Sequence, residues 1–289
     1  MTASSSLGSA PAPRPRAGRL GILAGGGPLP RRLVEACRGG GRDCFVLAFT
    51  GQTDPATVEG EVDHAWVRLG AVGEILSTLK RAGVQELVLI GPVSHPAAAE
   101  LRPVFRGMML LAKVGIKALS DDGILRAAVS ELESEGFRIL AIEEVMSELR
   151  TAPGPCGRLT PDAAAIADIA LGIKVLAVLA PFNIGQAVVV QQQRVIGVEA
   201  VEGTDGLLQR AAHLRERGAG GVLVKLAKTG QERRVDLPTI GVKTVELAAA
   251  AGLAGIAVEA GGSLIVDRDA VAAAADAAGL FVVGIEVPA

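Results

Sequence analysis

RLGILAGGGPLP, residues 19–30, decides the fold. It is a short apolar run that ends in three glycines, and PRRLVEACRGGG then shows helical spacing with a glycine stop. A strand, a tight glycine turn and a helix are the opening of a doubly wound α/β domain. The alternation continues outward. DCFVLAF (43–49) reads as a second strand and AWVRLG (65–70) as a third; EILSTLKRAG reads as a helix and ELVLIGPV (86–93) as a strand. LRAAVSELESEG (125–136) is a helix and FRILAIEE (137–144) a further strand. The expectation is an N-terminal Rossmann-like parallel sheet over 19–150, behind a Ser/Pro/Ala-rich disordered tail at 1–18.

TAPGPCGRLTPD (151–162), dense in Pro and Gly, reads as a linker. Beyond it, 163–289 forms a second α/β domain with mixed strand pairing. GQAVVVQQQRVIGVEAVEG (185–203) places two apolar runs around a polar tip, a hairpin pattern. TDGLLQRAAHLRERG is a helix capped by Thr204 or Asp205, GVLVKLAK (221–228) a strand and GVKTVELAAAAG a helix. GIAVEAGGSLIV (255–266) is expected as a hairpin on a GGS turn, followed by a helix and the closing strand LFVVGIEV.

Composition narrows the function. Half the residues are apolar (49%), the formal charge is −2, and aromatics are 2% with no tyrosine. A chain without a basic field does not suit non-specific nucleic-acid binding, and one without aromatics supplies few stacking platforms. Three scattered cysteines and three scattered histidines make neither a disulfide framework nor a zinc site, which fits a reducing cytoplasm. The apolar stretch Ile166–Val190 is interrupted by Asp168, Lys174, Pro181 and Asn183, so a buried helix followed by a strand is expected, not a membrane span.

Five stretches could carry chemistry. AGGGPLP offers Gly25, Gly26 and Gly27 at a strand-to-helix turn, where backbone N–H groups can meet a phosphate; a plain tight turn is the alternative. The spacing is neither the dinucleotide fingerprint nor a P-loop, which weighs against a Rossmann oxidoreductase. GPVSHP places Gly91, Ser94 and His95 at a strand's C-terminal end, the side on which open α/β sheets hold ligands. SDDGILRA puts Asp121 and Asp122 before a helix, as a cap or as a ribose or metal contact. In EAVEGTDG, Glu202 and Asp205 are two oxygen ligands suited to Mg²⁺, and Lys228 in the following strand could neutralise phosphate. In ERRVDLPTIG (232–241), Pro238 stiffens the backbone after Asp236, and Thr239 can cap the next helix. Asp236 is then either a turn-ordering aspartate or a carboxylate that holds a metal or orients a water.

Four runs together resemble one family: LGILAGGGPLP, GQAVVVQQQRVIGVEAVEGTDGLLQR, RRVDLPTIGVKTVELAAAAGLAGIAVEAG and GLFVVGIE. It is the LpxI-type UDP-2,3-diacylglucosamine pyrophosphatase family of lipid A biosynthesis, and the likeness runs from about Arg19 to Val287. The resemblance implies cytoplasmic, divalent-cation-dependent (Mg²⁺ or Mn²⁺) hydrolysis of UDP-2,3-diacylglucosamine to UMP and lipid X, with water directed at the phosphorus next to the sugar. It implies a catalytic Asp236, as a metal ligand or a water-orienting base; the residues themselves add Lys228 to it as a catalytic cation and Glu202 and Asp205 as further metal ligands. The substrate-binding residues expected are Gly25, Gly26, Gly27, Gly91, Ser94, Asp122, Gln186, Thr204 and Thr239. Peripheral membrane contact and a homodimer are the expected associations, with no nucleic acid and no transmembrane segment. LAPFNIG departs from the family pattern in a variable region, which bears on acyl-chain preference. The contrasting reading is a binding protein of the same fold without turnover.

Overall fold

The computed structural model describes residues 18–93, 121–228 and 230–287. β1 (Arg19–Ala24), α1 (Leu29–Gly39), β2 (Cys44–Phe49), β3 (His64–Val67), α2 (Val72–Arg81), β4 (Val84–Ile90), α3 (Asp121–Ser134) and β5 (Arg138–Ile139) build the first domain. Its five strands are parallel in the order β3-β2-β1-β4-β5. Both faces are covered, as a parallel sheet requires. Leu20, Ile22, Val46 and Val88 pack with Leu33 and Val34 of α1 on one side. Leu23, Leu47 and Leu87 pack with Leu76 and Leu79 of α2 and Val129 and Leu132 of α3 on the other. Strand order reverses between β1 and β4, so their C-terminal ends open the crevice in which such sheets bind ligands.

The strand expected over 137–144 is only two residues long, and a 3-10 turn follows at Ile142–Glu144. The Glu144 carboxylate accepts the Ala141 N–H at 2.9 Å and rolls the chain out of the sheet.

The second domain contains β6 (Gly154–Pro155), α4 (Ala163–Leu179), β7 (Ala187–Gln191), β8 (Arg194–Val198), α5 (Gly203–Leu214), β9 (Val222–Lys225), β10 (Thr239–Ile240), α6 (Val242–Ala250), β11 (Gly255–Glu259), β12 (Leu264–Ile265), α7 (Arg268–Ala278) and β13 (Phe281–Ile285). Six strands run β6-β13-β11-β9-β7-β8, with β9, β11 and β13 parallel and β6, β7 and β8 antiparallel to their neighbours. The segment read as a linker thus supplies an edge strand. α5, α6 and α7 cover one face through Leu207, Val245 and Val271, while α4 covers the other through Ile169 and Leu176.

The 185–203 hairpin forms as read, with Gln192 and Gln193 at φ 51° and 58° at its tip. Asp168, buried in the middle of apolar α4, accepts the N–H groups of Gln192 (3.0 Å) and Gln193 (2.6 Å). A buried carboxylate is tolerated there because both its oxygens are satisfied. The hairpin expected at 255–266 does not form: β11 stays in the main sheet while β12 pairs in parallel with β10. Ala260 N–H donates to Ile285 and Gly261 N–H to Thr151, leading the chain away from β11.

The expected buried helix is also corrected. Ala163–Phe182 has a mean hydropathy of 2.1 yet is only 28% buried, and it is long and apolar enough by length and composition to cross a membrane. Here its buried side seats on the six-stranded sheet. Ile166, Val178 and Phe182 are exposed on the other side.

Candidate functional site where the two domains meet

Residues 231–240 cross the junction between the domains and pack into three cores. Val235 lies against the α2/α3 side of the first sheet, Leu237 against its α1 side, and Ile240 inside the α5–α7 core of the second domain. Charged side chains tie the same stretch to both domains. Arg234 holds Glu232 (2.8 Å) and reaches Glu133 of α3 (2.6 Å), while Arg233 pairs with Glu259 at 3.0 Å. The Arg234 guanidinium pulls the Glu232 carboxyl below its usual range, and the two glutamates raise Arg234 in turn. Arg126 of α3 donates to the Gly230 carbonyl at 2.8 Å, and Arg32 of α1 pairs with Asp267.

Asp236 is therefore held on a backbone with no slack. Its N–H donates to Glu232 O at 3.0 Å, closing a turn, and Pro238 O accepts from Leu264 N–H at 2.8 Å. Its Oδ2 accepts from Gln231 Nε2 at 2.5 Å, while Gln231 Oε1 accepts the Lys228 N–H at 2.9 Å. A carboxylate only accepts and an N–H only donates, so this network sets the orientation of the Gln231 amide.

Below this segment lies Lys225, the last residue of β9 and only 6% exposed. Its Nζ donates to Thr239 O at 2.9 Å. Burial pushes the ammonium pKa down, and the charges of Glu199, Asp205 and Asp236 act against that. The charges of carboxylates from three segments thus act on one buried ammonium. Glu199, just past β8 and buried, accepts the Gln186 N–H at 3.1 Å and the Thr204 hydroxyl at 3.2 Å. Asp205, in the first turn of α5, also pairs with exposed Lys243 at 2.7 Å, which raises the Lys243 pKa.

Several expected residues take other roles. Glu202 is exposed and bound to Arg210 at 2.5 Å, which lowers its pKa; the carboxylates of this stretch whose charges act on Lys225 are Glu199 and Asp205. Thr204 does not cap α5 but orients Glu199. Thr239 does not cap α6: its hydroxyl donates to Leu237 O (3.0 Å), and the Gly241 N–H points to Thr244 at 3.4 Å instead. Lys228 reaches Asn183 Oδ1 at 2.6 Å. Gln186 Oε1 is buried without a hydrogen-bond partner among the described residues.

The glycines serve close approach between two loops at the switch point. A Cβ on Gly25 would lie 2.4 Å from Gly91 O, and one on Gly91 (φ 90°) 2.5 Å from Gly26 O. The Gly25 N–H donates to Ile90 O and the Gly26 N–H to Pro92 O, both at 2.8 Å, so neither amide is left for a phosphate. Gly27 adopts φ 75° and leads into α1. Asp122 falls in the first turn of α3, with its side chain outside the described set. Ser94 and His95 lie outside the described residues.

Residues 19–149 match the family model described as the LpxI N-terminal domain, and residues 152–283 the one described as the LpxI C-terminal domain. The chain belongs to the LpxI family. It is 42% identical over 275 residues to "UDP-2,3-diacylglucosamine pyrophosphatase LpxI" of Caulobacter vibrioides, covering 93% of this chain and 98% of that protein. Among solved structures, CobK precorrin-6A reductase is 16% identical over 94% of this chain and 89% of that one, with a TM-score of 0.34. The UDP-glucose 4-epimerase of Thermus thermophilus in complex with NAD is 14% identical over 94% and 86%, with a TM-score of 0.32. Likenesses this loose carry no argument about activity.

Within this LpxI-family chain, sequence reasoning missed Gln231, Glu199 and the burial of Lys225. Gln231 shows no signal of its own, since an amide five residues before an aspartate is unremarkable. Lys225 had one: a lysine in GVLVK, where both neighbours are apolar, sits in a strand buried on both faces, and buried lysines are rare unless paired.

Proposed function

We propose that the protein hydrolyses the pyrophosphate of UDP-2,3-diacylglucosamine to UMP and 2,3-diacylglucosamine 1-phosphate (lipid X), in the cytoplasm and with Mg²⁺ or Mn²⁺. Family membership supports the substrate. The observation that carries the chemistry is the Asp236 carboxylate at the domain junction, held by Gln231 and on a segment that buried Lys225 ties down through the Thr239 carbonyl. A water oxygen bonds to the phosphorus beside the sugar, the bond from that phosphorus to the bridging oxygen breaks, and UMP departs with that oxygen. Asp236 stands as the residue that orients this water or takes its proton, because Gln231 holds its carboxylate through one oxygen. Lys228, extended to Asn183 at the rim, supplies positive charge toward the phosphates.

The residues suit a hard divalent cation. Asp205 and Asp236 both act on Lys225 and offer carboxylate oxygens. Mg²⁺ commonly takes one or two carboxylates and completes its shell with water and substrate phosphate. It needs no cage of three protein ligands, and among the described residues no group of three His, Cys, Asp or Glu has that arrangement. When bound, the cation would offset phosphate charge. Exposed Val178 at the end of α4, with Phe182 and Ile184 in the segment after it, flanks Asn183 and so adjoins Lys228; we place the acyl chains there.

Release of UMP from UDP-2,3-diacylglucosamine by purified protein, with Mg²⁺ or with EDTA, beside Asp236→Asn, tests this reading. The expected result is metal-dependent release that the substitution abolishes while substrate still binds. Binding without release by folded wild type would instead make it a nucleotide-lipid carrier.

A further inference from the structure

Lys225 contacts no reacting group in the mechanism above, yet its placement is unusual. It ends the central strand β9, which is hydrogen-bonded to β11 on one side and β7 on the other. Its ammonium is buried and donates to the carbonyl of Thr239, three residues beyond Asp236 on the same proline-stiffened segment. The carboxylates whose charges act on it come from the end of β8, the start of α5 and residues 231–240, which no strand pairing joins to one another. A fixed buried cation offsets the mutual repulsion of carboxylates whose charges reach it.

We infer that Lys225 is a positioning residue: it anchors the Asp236 segment to the rigid centre of the second sheet through the Thr239 carbonyl and supplies a fixed positive charge to Glu199, Asp205 and Asp236. This rests on the pyrophosphatase reading only for its kinetic arm. Lys225→Met keeps the length and apolar stem of the side chain and removes both the charge and the donor. Lys225→Arg keeps the charge, and Lys225→Gln keeps a donor without it.

Two measurements test the assignment. In the first, thermal unfolding of each variant is followed with and without excess Mg²⁺. Asp205 and Asp236 hold Mg²⁺ more tightly once the ammonium that acts on them is gone, so Mg²⁺ raises the Tm of Lys225→Met and Lys225→Gln by about 3 °C or more beyond its effect on wild type and Lys225→Arg. An equal Mg²⁺ shift in all four proteins overturns the countercharge. If Lys225→Met does not fold, the Gln and Arg pair decides the same point. In the second, steady-state UMP release gives kcat and KM. Lys225→Met loses about 100-fold or more in kcat with KM within about threefold, and Lys225→Arg recovers at least about tenfold of the loss. Active wild type with an equally active Lys225→Met overturns the inference. So does a Met and Arg pair equally impaired in kcat, KM and Tm, the mark of a merely structural lysine. Inactive wild type sinks the proposed reaction and leaves the Mg²⁺ arm to decide Lys225.

Discussion

Replacing Gln231 separates shape from charge at Asp236, the aspartate proposed to act on the water. The side chain is 8% exposed, donates to Asp236 Oδ2 at 2.5 Å and accepts from the Lys228 N–H at 2.9 Å. Gln231→Leu removes the donor to a carboxylate, an interaction of roughly 1.5–3 kcal/mol. If that loss falls wholly on the transition state, kcat drops about 10- to 150-fold. Gln231→Glu is the nearer isostere and retains the acceptor for Lys228 N–H. It sets a second carboxylate against Asp236, however, and two unit charges about 4 Å apart at an effective dielectric near 20 repel by about 4 kcal/mol. The pair escapes part of this by taking up a proton, which disables Asp236 as an acceptor. The more conservative shape is thus the more damaging change, with a loss of up to about 10³-fold in kcat. Initial rates of UMP release at saturating substrate, with melting curves to show that both variants fold, give the comparison. A Gln231→Glu enzyme as active as Gln231→Leu, or more so, would refute the assigned hydrogen bond and its role.

Further expectations follow from the junction between the domains. Gly91→Ala places a Cβ 2.5 Å from Gly26 O at φ 90°, so it costs about 1–3 kcal/mol in backbone strain alone and lowers the Tm by several degrees in calorimetry. An unchanged Tm would mean that the two glycine loops do not pack as described. Arg234→Met and Glu133→Gln couple by about 0.5–1 kcal/mol in a double-mutant cycle of unfolding free energies, the range for partly exposed pairs; strict additivity would remove the clamp between α3 and the Asp236 segment. Because Arg234 holds the Glu232 carboxyl below its usual range, the associated stabilisation is present above the unfolded carboxyl pKa and fades as pH falls through the folded one. The Tm gap between wild type and Arg234→Met therefore narrows from about pH 5 towards pH 3, and a gap constant across that range contradicts the pairing.

The sequence by itself determined the elements and much of their order. Apolar runs separated by glycine stops specify parallel strands buried on both faces, because a strand without a polar face can rest only between two helical layers. The QQQR tip of the 185–203 hairpin was legible for the same local reason, as was the stiffness of the backbone around Asp236. Its family was legible in long motifs. Tertiary structure alone decided which charges meet. Glu199 and Glu202 stand three residues apart, yet the first turns inward to the Thr204 hydroxyl and Lys225 while the second turns outward to Arg210. Periodicity gives the face of a regular element, but these two glutamates lie in the turn between β8 and α5, where no period applies. β12 likewise left its neighbour β11 for β10, because its partner is set by the path of residues 231–240 through the junction. The crowded charges before Asp236 are explained by the same path. Arg233 and Arg234 bind Glu259 and Glu133, 26 and 101 residues away, which sequence spacing cannot show: the fold of the second domain brings the first pair within reach and the packing of two domains the second.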